Sequence, residues 1–111
     1  MPHDPYKLIA DIRLSIDEVD RFCANKQYGD FETDLLLQRA IEREMEIIGE
    51  ALNRLIRIDE EKIEDTIPEY RSIIGLRNII AHGYDVVDPM MVWDVVVNHI
   101  PKLSRQIDTY A

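Results

Sequence analysis

Within eight consecutive residues, Arg77-Asn78-Ile79-Ile80-Ala81-His82-Gly83-Tyr84, the chain gathers an arginine, a histidine and a tyrosine. Arginine carries a permanent planar fork that matches phosphate oxygens, histidine exchanges a proton near neutral pH, and a tyrosine hydroxyl can bond or be modified. Acid-base work on a phosphodiester needs those groups. Each also has a plainer use. A histidine in a last helical turn complements the helix dipole, and a lone arginine commonly forms a structural ion pair, with Glu46 or Glu50 as candidates here. A lone tyrosine commonly packs with its hydroxyl bonded.

The elements that must hold these side chains read as helical throughout, with no strand alternation and no internal repeat. Asp4-Pro5 is a cap followed by proline at the first helical position; Leu8, Ile12, Ile16, Val19 and Cys23 then recur at helical spacing, predicting a helix over about 5–24. Residues 25–30, containing Gly29, predict a turn. Leu37, Ile41, Met45, Ile48, Leu52 and Leu55 form the seam of a long helix ending near Arg57. Gly49 inside it costs about 1 kcal/mol relative to alanine, so a close approach by another helix is expected there. The acidic run 59–65 and Pro68 predict a loop, followed by a helix over about 69–82 closed by Gly83 in left-handed backbone. Asp88-Pro89 repeats the first cap, and Trp93, Val96, Ile100, Leu103 and Ile107 stripe a last helix that Pro101 should kink. Trp93, Met90 and Met91 are expected as core or dimer contacts. The fold class is all-α: a single domain over 1–111, with four helices packed antiparallel.

On a wheel of about 100° per residue, Arg71, Gly75, Asn78 and His82 make one polar stripe of the third helix, opposite Ile73, Leu76, Ile79 and Ile80. Arg77 belongs to neither side. It lies on a flank that the pattern would bury, so it needs a carboxylate from the second helix, a second subunit or an anion. Arg77 and His82 are about 140° apart, too far to converge simply from one helix. Either Arg77 bends around the helix end, or two copies combine.

Charge narrows the functions further. The 22 acidic and 13 basic residues leave a formal charge of −9, which opposes unspecific attraction to nucleic acid and requires a local basic site for any RNA. The acids concentrate in 59–65, away from the motif. One cysteine, Cys23, excludes an intramolecular disulfide and is expected as a buried small residue. No apolar run is long enough to cross a bilayer and the N-terminus is not signal-like, so a cytoplasmic location is expected. The three histidines lack metal-site spacing; neither a metal nor a cofactor is expected.

Arg77, four intervening residues, His82, one residue and Tyr84 match the R-x4-H-x-Y pattern of HEPN domains, and the chain resembles in particular the HepT toxins of HepT/MntA toxin-antitoxin pairs. The resemblance spans nearly the whole chain. Residues 38–51, including Gly49-Glu50-Ala51, are similar to that family's second helix, and Asp94 through Leu103, with Pro101, to its last. It implies a four-to-five-helix HEPN bundle that forms a homodimer, with the two motifs meeting in a cleft between subunits. It implies a metal-independent ribonuclease in which His82 is the acid-base residue and Arg77 stabilises the phosphorane-like transition state, with Asn78 positioning the substrate or His82; Arg71, on the same polar stripe, is a further substrate-positioning candidate. It also implies a partner, a minimal nucleotidyltransferase antitoxin that silences the enzyme by transferring AMP to Tyr84. A second reading keeps the same fold in a non-catalytic subunit that binds nucleotide or the nucleotidyltransferase.

Overall fold

The computed structural model describes residues 4–110, with Tyr84 described by its backbone alone. Helix α1 (Pro5–Phe22) starts where the Asp4 carboxylate accepts the Tyr6 amide at 2.9 Å, and it buries Leu8, Ile12, Ile16 and Val19. Asn25, at φ 60°, supplies the reversal after it. The expected turn over 25–30 is in part a short helix, α2 (Tyr28–Glu32). Reciprocal capping between Gln27 and Asp30 starts it, and Phe31, fully buried under Trp93 with ring centroids 5.2 Å apart, pays for it.

Helix α3 (Leu35–Ile58) is the central rod, capped by Asp34 on the Leu37 amide. Its whole predicted seam is buried, and α1 and α5 pack along it. The acidic run is not the expected loop. It forms α4 (Glu60–Thr66), because Asp59 caps the Lys62 amide at 3.2 Å and Glu60 and Glu61 lie in the first turn, where negative charge suits the helix dipole. Ile63 and Ile67, at 1% and 0% exposure, anchor it.

Helix α5 (Tyr70–His82) carries the motif. Its end corrects another expectation: Gly83 sits at φ −126°, so no left-handed cap forms, and its amide bonds to the Ile79 carbonyl at 2.7 Å before a 3-10 turn over Tyr84–Val86. Helix α6 (Pro89–Asp94) begins at the predicted Asp88 cap and passes through a π turn, Val95–His99, into α7 (Ile100–Asp108). Pro101 therefore lies in the first turn of α7, and the wider π turn before it takes up the carbonyl its ring would displace. Trp93 is half-buried against Phe31, whereas Met90 and Met91 are exposed and outside this chain's core. Cys23 is half-buried, and burial pushes its thiol up from the ordinary value.

Side-chain bonds give the helix directions. Ser15 of α1 meets Glu44 of α3. Arg13 bonds to Ser104 and Asp108 of α7, while Tyr6 packs its ring on Tyr110, so α1 and α7 run antiparallel. The result is an all-α bundle with no strand among the described residues.

Candidate active site on helix α5

The N-terminal end of α5 is tied to the last helical rod. The Glu69 amide donates to Gln106 Oε1 at 3.0 Å, and the Glu69 carboxylate bonds to His99 Nδ1 in the π turn. Ile73, Leu76 and Ile80 are buried, and Arg71, Gly75, Asn78 and His82 are all exposed, as the wheel requires. The helix is thus held by its apolar side, with its polar stripe open to solvent.

Arg77 takes the flank between the two sides and turns back onto α3. Its stem lies against Gly49: a Cβ built there would stand 2.5 Å from Arg77 Cβ and 2.7 Å from Cγ. This is the close approach expected at Gly49, and it leaves room for no larger residue without a shift. At the head, Nη2 donates to Glu50 Oε2 at 3.2 Å and Nη1 to Asn78 Oδ1 at 3.2 Å. The ion pair is the one offered from the sequence with Glu50. Nε is buried and has no hydrogen-bond partner among the described residues.

Magnitudes separate the causes of this placement. A half-exposed ion pair such as Arg77–Glu50 is worth roughly 0–1 kcal/mol. A buried donor left unbonded costs about 1–3 kcal/mol. The pairing by itself does not make Arg77 a net stabiliser, so fold stability is a poor explanation for an arginine here. The Gly49 slot and the two acceptors fix its direction instead.

His82 is exposed in the last turn of α5 and makes no side-chain hydrogen bond or ion pair among the described residues. Asn78, one turn earlier, links the stripe to the flank through its bond to Arg77. Arg71 is not brought to this end. It pairs with Glu64 at 3.2 Å and leans on the Tyr70 ring, roughly 16 Å from His82 along the helix axis at about 1.5 Å per residue. The Tyr84 backbone follows in the 3-10 turn; the expectation that its side chain stays exposed at the rim lies outside the described residues.

Arg77 also borders a groove of about 390 Å³ between α1 and α3, where Leu14 and Ile47 stand beside Glu50, Arg54 and Arg43. Its floor holds a pair that the sequence reading missed. The Ser15 hydroxyl donates to Glu44 Oε1 at 2.8 Å, and both residues are buried, at 3% and 4% exposure. Burial, with a hydrogen bond that the protonated carboxyl gives to neighbouring Glu18, raises Glu44 to about 7, against the lowering effect of the Ser15 hydroxyl. The signal was available: Ser15 and Glu44 each sit in phase with the apolar stripe of their helix, where a polar residue demands a partner.

Among the described residues no group of three or more His, Cys, Asp or Glu side chains could hold a metal ion, and no helix is long and apolar enough to cross a membrane. Residues 12–110 match the family model described as Ribonuclease HepT-like. Curated relatives include a candidate RNase of Methanocaldococcus jannaschii, 30% identical over 95% of this chain and 94% of its own. A probable ribonuclease HepT of Thermococcus cleftensis is 31% identical over 90% of this chain and 89% of its own. A candidate RNase of Caldanaerobacter subterraneus is 35% identical over 72% and 70%. No solved structure matches the chain significantly.

Proposed function

The chain belongs to the HepT-like ribonuclease family, and from that premise we propose that it is a metal-independent RNA endonuclease acting through Arg77 and His82. The observation that carries the reading is the pre-set Arg77 fork, held by Gly49, Glu50 and Asn78 next to a stripe that presents His82 unencumbered. In the reaction the 2′-hydroxyl of one nucleotide attacks the adjacent phosphorus, the P–O5′ bond breaks, and a 2′,3′-cyclic phosphate and a 5′-hydroxyl result. The 2′-hydroxyl loses a proton and the leaving O5′ gains one, which is the work of His82. Charge builds on the phosphoryl oxygens in between, and Arg77 meets it without reorganising.

Because Arg77 is drawn onto α3 while His82 faces solvent, the reading joins two copies: a homodimer in which the Arg77 of one motif and the His82 of the other face one cleft. Asn78 positions the substrate or His82, and Arg71, at the far end of α5, can meet RNA only at a distance from the reacting phosphate. The enzyme acts in the cytoplasm as the toxin of a toxin-antitoxin pair. Its partner is a minimal nucleotidyltransferase that adds AMP to Tyr84, placing a negative phosphate beside the cleft where it repels RNA.

The direct test is purified, partner-free protein on single-stranded RNA with a chelator present. Wild type is expected to cleave, and His82→Ala to lose on the order of 10²–10⁴-fold in rate. Cleavage unchanged by His82→Ala overturns the assignment. For Tyr84, coexpression with the nucleotidyltransferase should raise the intact mass by whole AMP units, and Tyr84→Phe should abolish the gain; an unchanged wild-type mass counts against modification.

A further inference from the structure

Gly49 has its reason inside the chain, and Gly75 does not. Gly49 is met by Arg77, whereas a Cβ built at Gly75 would have nothing within 4 Å among the described residues. Gly75 lies exposed in the interior of α5 with no left-handed backbone to require it, so alanine would fit and would favour the helix. Gly29, also in open space, sits in the first turn of the five-residue α2, where the penalty of a helix interior does not apply. A second misfit stands one turn beyond Gly75. Ile79 is half-buried and, among the described residues, does not pack on the core that Ile73, Leu76 and Ile80 join. On the wheel it falls only about 40° from Gly75, with His82 about 20° away on the other side. Val86, 63% exposed, lies 3.0 Å from a Cβ built at Gly83 and carries the apolar edge past the end of α5.

We propose that Gly75 is the point at which α5 crosses the α5 of a second copy, so that the motif helices themselves form the seam of the dimer. This rests on the ribonuclease reading, which needs both motifs at one cleft. A missing side chain on an exposed helix face lets another backbone come close, and an isologous contact puts the same glycine on both sides. An RNA strand would gain little from Ile79 and Val86, whereas the same residues of a second copy bury with them. Distance decides the sense of the crossing. His82 stands roughly 10 Å beyond Gly75 along the axis, and Arg77 roughly 3 Å, at about 1.5 Å per residue. Crossing in opposite senses would leave Arg77 of one copy and His82 of the other roughly 13 Å apart along the axis, while crossing in the same sense brings both motif ends together. The head of Arg77 reaches this seam through its bond to Asn78, about 60° from Gly75 on the wheel.

The test uses the opposite signs that Gly75→Ala should give. Melted at concentrations where the protein is monomeric, the variant should unfold about 4 °C above wild type, since alanine is the better helix residue and meets nothing in its own chain. By sedimentation its dimer dissociation constant should rise about tenfold, because the added methyl overpacks the crossing. RNA cleavage with chelator present should fall in step and return at higher protein concentration. Gly75→Leu, larger but still a good helix former, should leave only monomer with its melting temperature kept. Either variant dimerising as wild type does overturns the contact, and so does a wild type that cleaves as a monomer. A Gly75→Ala monomer that melts below wild type would show that the glycine serves its own chain, which overturns it too. In each of those cases His82-dependent cleavage leaves the ribonuclease reading standing. If Gly75→Ala weakens the dimer as expected but wild type cleaves no RNA, the seam stands and the ribonuclease reading falls.

Discussion

Arg77 illustrates how a residue can be fixed in place without being a source of stability. Its ion pair is weak by position and its Nε is unsatisfied, so packing on Gly49 sets its direction. Two outcomes follow at this scale. Gly49→Ala should destabilise by about 1–3 kcal/mol through overpacking, although alanine is the better helix former by about 1 kcal/mol. A denaturant melt decides the sign, and a more stable Gly49→Ala protein would show that the slot is not tight. Arg77→Lys keeps the charge but not the fork, and should lose RNA cleavage by about 100-fold with little change in melting temperature, because bidentate geometry and not charge alone is required. The sequence already displayed this arginine as a misfit on its wheel and named Glu50 as a possible partner. The orphaned Nε was not legible, since it depends on how α3 and α5 lie across each other.

At the level of elements, residues that cap and seam a helix announced it well. The boundaries of α1 and α5, the end of α3 and the Asp88 cap agree with the pattern to within two residues. Short elements decided by tertiary burial did not show. Helix α2 depends on Phe31 finding Trp93, and α4 on Ile63 and Ile67 reaching the core through a segment that reads as solvated acid. The Gly83 cap failed for a related reason, because the chain leaves α5 through a 3-10 turn that needs no left-handed residue. Between α1 and α3, Glu44 makes the packing pH-sensitive. Its carboxyl is raised from an ordinary 4.5 to about 7, so the folded state holds the proton more tightly than the unfolded chain. That contribution is fully present below pH 4.5 and is lost as pH rises through 7. Melting temperature should therefore fall between pH 5 and 8 from this group, while Glu44→Gln, neutral throughout, should flatten that part of the profile. A wild-type curve that rises across this window in step with the variant would show that Glu44 is already ionised in the fold.

For the whole molecule, an acidic chain proposed to act on RNA must confine its attraction to a local site, and the motif end of α5 supplies Arg77 and His82 there. The bundle holds the apolar side of α5 and leaves Asn78 and His82 open, while Arg77 is withdrawn to the neighbouring flank. A cleft built from two copies reconciles the two directions, and it makes the proposed site a property of the dimer. The decisive measurement is complementation. Arg77→Ala and His82→Ala proteins, each purified alone and then mixed under conditions that exchange subunits, are assayed on RNA with chelator present. Neither should cleave alone, and the mixture should recover roughly a quarter of wild-type activity, since half the dimers are mixed and each of those holds one intact site. A mixture as silent as its parts, beside an active wild type, would contradict a site shared between subunits.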